Sequence, residues 1–459
     1  MPDAPSSTPS RSRTVVMWFR RDLRLADLPA LHAAAADGAR VVPLFVVDPA
    51  FAGSGAPRRA YMAETLQALD DSMDGALVYR LGDPTVTVPA LAAEVGAHAV
   101  YVTRDYGPYG RRRDAAVAAA LRTIDANLVG VGSAYAVAPG GVVKGDGTPY
   151  AVFTPFSKAW RAHGWAEPLG VPDVDWLGAS SIPCDGPPSR PALEMVWPLA
   201  GEAAAHDQWE QFLPEAHRYR DLRDLPGVDG TTRLSAALRW GAVHPRQLLA
   251  DLVPGPGHDT LTSELAWRDF YADVLFHRPD TGWQNLNERM NAMEVDTGPD
   301  ATERFRRWTE GRTGYPIVDA GMRQLLATGW MHNRVRMLVA SFLVKDLHLP
   351  WQWGARHFMR HLVDGDLASN SHGWQWAAGT GTDAAPYFRV FNPITQAHRF
   401  DPDGDYVRRW LPELSGIGGG AVHEPGLLRP ADYPAPMVDH AAERDEALHR
   451  YRQVTAGSR

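Results

Sequence analysis

One cysteine, Cys184, stands in 459 residues. A single thiol excludes a disulfide framework, a cysteine zinc site and a thiolate-held iron–sulfur cluster, and it fits a reducing compartment, so a cytoplasmic location is expected. No run of eighteen apolar residues occurs, and no membrane span is expected. The opening residues, MPDAPSSTPSRSRT, lack the apolar core of a secretory signal and read as a disordered lead-in over 1–13. Net positive charge is also missing: the formal charge is −8, which argues against a generic nucleic-acid binder. Among 17 histidines there is no H-E-x-x-H or H-x-x-x-H pair with a third ligand in register, so no metal site is expected. No G-x-G-x-x-G follows the first apolar run, there is no Walker A loop, and no segment repeats.

What is present is uneven. Sixteen tryptophans are well above ordinary usage, so some are expected to do more than fill space. Residues 301–360 carry ten Lys/Arg against four acids, a basic stretch on an acidic chain. Such a field points to a polyanion docking on one face; the plainer alternative is a solvated surface.

The length exceeds one hydrophobic core, and the periodicity divides accordingly. Short apolar runs at 14–25, 39–49, 75–84 and 97–110 alternate with helical patterns near 58–73, 86–96 and 111–125. Strand–helix alternation predicts a doubly wound parallel sheet over 14–135, with helices on both faces. From 136 to 200 turn-rich segments predict a linker with one short helix near 154–163. From 201 to 459 the pattern is helical, which predicts an all-α domain ending in a short polar tail. The fold class expected is therefore α/β plus all-α.

Three stretches carry possible chemistry. In WMHNRVRMLVASFLVKDL, 330–347, Asn333, Arg336, Met337 and Ala340 share one helical stripe. An arginine beside apolar neighbours needs an anion, and Asp364 is the candidate; a purely structural salt bridge is the alternative. In SELAWRDFY, Glu264, Trp267 and Arg268 share a face, where a carboxyl beside an indole could meet a flat polar ring. An ordinary ion pair beside a core tryptophan would look the same. In GTTRLSAALRWG, hydroxyls and Arg233 at an apparent helix start suit a phosphate, although such residues cap helices widely.

Taken in order, TTRLS, ELAWRDFY, GYPIVDAGMRQLLATGWMHNRVRM and DGDLASNSHGWQWAAGTGTDAAPYFRVFNP resemble the DNA photolyase and cryptochrome family. MWFRRDLRLADLPAL resembles that family's first strand and loop, and the likeness spans roughly 14–425. The resemblance implies an α/β antenna domain, a long linker and a helical domain holding FAD. It implies FAD contacts from Tyr219, Thr231, Thr232, Arg233, Leu234 and Ser235, the last five near the phosphates. It further implies Asn333, Arg336, Asp364, Gly365, Asp366 and Asn370 around the ring system, with Asn370 by flavin N5. Trp374 and Trp351 take the positions of the first and second electron donors. The family's third tryptophan position falls near Gly298, so either another aromatic such as Trp308 or Trp353 serves instead or electron exit is impaired.

Among the members, the chain is most similar to class I cyclobutane pyrimidine dimer photolyases. That implies light-driven repair by electron transfer from photoexcited FADH− to a flipped-out dimer in UV-damaged DNA, with no obligate protein partner and a monomeric state. Glu264, Asn333, Met337, Trp267 and Trp376 would meet the dimer, with Trp267 and Trp376 as pocket walls. DNA contacts are implied for Arg223, Trp267, Arg268, Asn333, Arg334, Trp376 and Gln396. RDYGPYGRRRD resembles the stretch lining a second chromophore, with Asp105 and Arg59 as contacts; 8-hydroxy-5-deazaflavin is favoured over methenyltetrahydrofolate. The alternatives are a cryptochrome-type photoreceptor without repair, a (6-4) photolyase, or a light-independent FAD protein that binds DNA.

Overall fold

The computed structural model describes residues 13–37, 40–382 and 388–456. Apart from Arg13, the expected lead-in lies outside the described residues. Five parallel strands form one sheet: β1 Thr14–Phe19, β2 Arg40–Val47, β3 Val78–Leu81, β4 Ala97–Arg104 and β5 Asn127–Ser133. Their order is β3-β2-β1-β4-β5, all pairs parallel. The helices α1 Pro29–Ala36, α2 Ala56–Asp71, α3 Pro84–Glu94 and α4 Pro108–Arg122 join them.

The strands are apolar on both faces because both faces are covered. Val15, Met17 and Phe19 of β1 pack with Leu31 of α1 and Leu66 of α2. Val16 and Trp18, pointing the other way, pack with Leu91 of α3 and Val117 and Leu121 of α4. The fifth strand, NLVGVGS, has no counterpart among the expected runs. It is an edge strand with two glycines and a half-exposed surface, so it shows neither alternation nor a dense apolar run.

The linker holds α5, Phe153–His163, close to the expected span. Beyond residue 201 the described chain is helical, and its largest core gathers Trp308, Val335, Leu343, Phe358 and Trp374. The expected polar tail is instead a 17-residue helix, His440–Ala456. It is pinned by polar contacts: His440 Nδ1 to Asp346, His348 to Glu443 at 2.8 Å, and Arg450 to Asp296 at 2.7 Å. A helix attached mainly through charge leaves little apolar period to read.

The basic field of 301–360 is also largely absorbed. Arg304, Arg306, Arg323, Arg334 and Arg336 pair with Asp296, Glu303, Glu413, Asp224 and Asp364, and only Glu303 belongs to the same segment. Lys345 is buried, its ammonium pushed down to about 7 by desolvation.

The two halves meet closely at Gly241. Its φ is +70°, and a Cβ there would lie 2.1 Å from the carbonyl oxygen of Arg21. Leu23 N–H donates to the Trp240 carbonyl at 3.2 Å and Arg24 to the Gly241 carbonyl at 3.0 Å. Buried Asp27 receives Arg246 at 2.5 Å across the same joint. A side chain at 241 must therefore adopt a left-handed backbone and displace the first loop. Gly241→Ala should lower unfolding free energy by about 2 kcal/mol or more, read as a lower denaturant midpoint at unchanged slope.

Candidate functional site

The loop 364–366 and the helix behind it, Leu367–Ala378, organise the site. Asp366 caps that helix, its Oδ1 accepting from Ser369 N–H at 3.1 Å. Its other oxygen takes Arg21 of the α/β half at 2.6 Å and lies 3.7 Å from Arg239. Burial by itself would raise the Asp366 pKa, but Arg21, Arg239 and Arg268 overcome it and hold the carboxyl well below the usual range. Burial and the neighbouring Arg21 push Arg239 down to about 9.

Asp364 and Arg336 form the pair anticipated from the helical stripe, at 2.8 Å, with Arg336 Nε also donating to the Met331 carbonyl. Asp364 is buried, and its second oxygen has no partner in the protein. Gly365 offers its carbonyl to Arg239 at 3.0 Å. Asn370, one turn into the helix, donates to the Ala355 carbonyl at 3.1 Å.

Trp374 and Trp376 project from one helix into different surroundings. Trp374 is buried, its ring edge lying over Gly354, where a Cβ would come within 2.1 Å. Its indole N–H is buried and has no partner. Edge-on neighbours are Phe358 at 5.0 Å and Trp308 at 6.1 Å between ring centroids. From Trp308 the ring contacts run to Phe305 at 5.7 Å and on to Trp353 at 5.3 Å. Trp351 is buried, donating to Asn285 at 2.8 Å. Gly298 caps a helix with φ +90° and no neighbour within 4 Å of a Cβ position. Trp376 is half-buried near Phe391.

On the Pro256–His277 helix, Glu264 and Trp267 stand one turn apart. Burial raises the Glu264 pKa, and an ion pair with Arg223 opposes the rise. Trp267 is stacked face to face on Phe153 of α5, with centroids 3.7 Å apart and planes within 8°. That leaves one indole face uncovered by Phe153. Asn333 opens the Asn333–Ser341 helix, exposed, with Arg334 and Met337 half-buried beside it. Gln396 lies half-buried on the Pro393–Phe400 helix. Tyr219 is buried under the Arg223 guanidinium, 5.7 Å from its centroid. Thr231 and Thr232 are half-buried, Leu234 is buried, and exposed Ser235 accepts from Trp330 at 3.2 Å. Arg233 adopts φ +52°, pairs with Asp229 at 3.0 Å and stacks on Trp330 at 5.3 Å.

Arg268 differs from its expected place. Its two terminal nitrogens donate to the carbonyls of Ala134 and Leu238, and its plane covers Tyr135 at 4.5 Å. Adjacent helix positions point about 100° apart, so it cannot share Trp267's outlook. Residues the sequence did not single out are Arg21, Arg239, Asp224, Phe153 and Gly354. A double arginine directly after a buried strand was a usable signal for Arg21; Phe153 and Gly354 had none.

A second cavity of about 500 Å³ opens at the carboxyl ends of β1, β2 and β3 and beside the end of β4. Open parallel sheets gather ligands at these strand ends. Trp18, Arg21, Arg59, Met62, Asp105 and Arg113 are among its lining residues. Burial would raise the Asp105 pKa, but Arg21, Arg20 and Arg113 outweigh it and keep the carboxyl ionised. Gly110 makes room for it, since a Cβ there would fall 2.1 Å from the carboxyl.

An FAD fits the hydrogen-bonding groups present in the first site: the free Asp364 oxygen, an acceptor, and the free Trp374 N–H, a donor, are both buried, and Arg233 with Thr231 and Thr232 offers an anion seat. Among the described residues no group of three or more His, Cys, Asp or Glu is placed to hold a metal, and no helix is long and apolar enough to cross a membrane. Removing Arg336 leaves the buried Asp364 carboxylate alone. Arg336→Ala should therefore cost about 3 kcal/mol in unfolding free energy, whereas Glu303→Ala on the exposed Arg306 pair should change little.

The family models agree with this arrangement. Residues 15–173 match the DNA photolyase model and residues 260–453 match the FAD binding domain of DNA photolyase. A deoxyribodipyrimidine photo-lyase of Salmonella typhimurium is 40% identical, covering 97% of this chain and 100% of that protein. A bacterial class III photolyase from Agrobacterium tumefaciens superposes with a TM-score of 0.90 at 35% identity, covering 99% of this chain and 100% of the other. An archaeal photolyase from Sulfolobus tokodaii, solved with two FAD molecules, superposes with a TM-score of 0.81 at 28% identity, covering 96% of this chain and 100% of the other. With both halves matched and a relative this similar along its whole length, the chain belongs to the DNA photolyase family.

Proposed function

We propose that the protein repairs cyclobutane pyrimidine dimers in UV-damaged DNA, using FAD and blue light. The observation that carries this reading is Glu264: a carboxyl with raised proton affinity, one turn from a half-buried indole and tethered to an arginine. When bound, reduced FAD would supply on excitation the electron that opens the cyclobutane ring and would take it back once the ring has split, so that repair involves no net redox change. The residues do the rest. Asp364 and Arg336 orient the ring system, Asp366 holds the loop against the α/β half, and Asn370 offers an amide that cannot give up a proton as an acid would. Thr231 to Ser235 receive the phosphates.

A dimer outside the duplex is sandwiched by Trp267 and Trp376, with Asn333 and Met337 on its rim. Glu264 hydrogen-bonds its carbonyl edge and favours the charge that develops there. Extrusion costs a few kcal/mol, as for photolyases in general, and less for a lesion that already stacks poorly. Arg223, Arg334 and Gln396 take the flanking backbone. Arg268 is left out of this set, because its donors are engaged inside the protein. The pocket at the strand ends suits a flat second chromophore, with Asp105 and Arg59 as polar contacts and 8-hydroxy-5-deazaflavin as the favoured occupant.

Trp374 would pass electrons to oxidised FAD when the cofactor is bound. With glycine at 298, the continuous ring contacts through Trp308 and Phe305 to half-buried Trp353 supply an exit beside Trp351.

Two measurements test the reading. Reduced, FAD-loaded protein under blue light should remove dimers from a thymine-dimer oligonucleotide; loss of one hydrogen bond worth about 1 kcal/mol makes Glu264→Ala roughly fivefold less effective per photon absorbed. No light-dependent dimer loss by the parent protein would remove the enzyme reading. In the absence of DNA, blue-light bleaching of oxidised-FAD absorbance should vanish in Trp374→Phe and slow several-fold in Trp308→Phe. An unchanged rate in the latter would confine the exit to Trp351.

A further inference from the structure

Two arginines read above as DNA contacts converge on one acid. Arg334 Nη2 lies 2.7 Å from Asp224 Oδ2, and Arg223 Nε lies 3.7 Å from Asp224 Oδ1. They come from separate elements, Arg223 from the turn after Tyr219–Leu222 and Arg334 from the first turn of Asn333–Ser341. Each carboxylate oxygen serves one guanidinium, which is the way a phosphodiester with two free oxygens bridges two arginines. Arg223 also holds Glu264, so the four groups form a chain of alternating charge: Glu264, Arg223, Asp224, Arg334. The chain sums to zero. His332 faces Asp224 as well, but burial pushes its imidazole down to about 4, so it adds no charge at neutral pH.

Arg334 does not depend on Asp224 for its position. Its guanidinium lies on the Phe400 ring, 4.3 Å from the centroid, and its Nε is buried. Arg223 rests likewise on Tyr219 and Glu264. Asp224 is a third exposed and sits on a turn, with solvent beside it. The arginines are thus held by rings and by Glu264, while the acid between them borders solvent.

We propose that Asp224 is a stand-in for a DNA backbone phosphate, neutralising Arg223 and Arg334 until a strand displaces it. This rests on the reading of those arginines as DNA contacts and adds the device that regulates them. In the DNA-free protein the pair presents no net positive seat, which matches an overall charge of −8. Displacement exchanges two carboxylate oxygens for two phosphate oxygens, leaving the arginine geometry unchanged. The acid therefore sets how tightly any backbone is held, damaged or not, because it touches neither Trp267 nor Trp376.

The test uses FAD-loaded protein in the dark and a short labelled duplex with or without one thymine dimer. Affinities are read over salt from about 50 to about 300 mM. Asp224→Asn should tighten both duplexes by about tenfold, as expected for freeing a charge to meet a phosphate. The slope of log affinity against log salt should steepen by about one. Asp221→Asn, an exposed acid of the preceding Tyr219–Leu222 helix, changes net charge identically and should shift affinity less than about twofold. Asp224→Ser should repeat the Asp224→Asn result. Weaker binding by both Asp224 variants would make Asp224 a support for the arginines and overturn the inference. Equal tightening by Asp221→Asn would reduce it to net charge and overturn it as well. Arg334→Gln separates the two levels. If it leaves DNA binding intact, the DNA-contact reading falls. If it weakens binding while Asp224→Asn changes nothing, only the stand-in falls.

Discussion

One half-buried carboxylate, Asp366, is the constraint on which the site depends. It closes the amino end of the helix that carries Asn370, Trp374 and Trp376, and it also receives Arg21 from the other half of the molecule. A lone acid in that position would be driven to protonate; surrounded by Arg21, Arg239 and Arg268 it stays charged. The cluster is positive overall, so the repulsion among the arginines is contained only while the acid remains ionised. Domain contact, helix start and the placement of the indoles are therefore one electrostatic arrangement.

The same economy appears at the proposed lesion pocket. Trp267 and Trp376 stand on two helices of the helical half, yet the back of Trp267 is covered by Phe153, which belongs to the linker. Thr382, just beyond the helix bearing Trp376, hydrogen-bonds the Ala151 carbonyl and ties the opposite rim to the same linker stretch. Parallel stacking fixes the indole plane more firmly than an edge contact would, since rotation of either ring opens the interface. The linker is thus a structural component of the pocket.

Much of this was legible in the sequence, and the exceptions have physical reasons. Alternating apolar runs exposed the parallel sheet, because strands covered on two faces are apolar throughout. The stripe through Asn333 and Arg336 announced a half-buried cation, and Asp364 answers it. The edge strand β5 and the helix His440–Ala456 escaped because glycine and charge, not apolar period, define them. Charge counts over 301–360 misled for a related reason: an arginine's partner is a neighbour in space, and Asp224, Asp296 and Glu413 lie outside that window. Arg268 shows the limit of sharing a helical turn with a functional residue, since one step along the helix turned it from the pocket to the domain joint.

The lining of the strand-end cavity includes Arg21, and Arg21 ends on the carboxylate that begins the helix of Trp374. Any planar pigment seated there would have its transition dipole held in angle against a flavin bound in the helical half. Resonance transfer depends on that angle as well as on separation. Arg21, together with the contacts at Gly241 and Asp27 that deny the two halves a hinge, would also bear on the orientation factor for the capture of light.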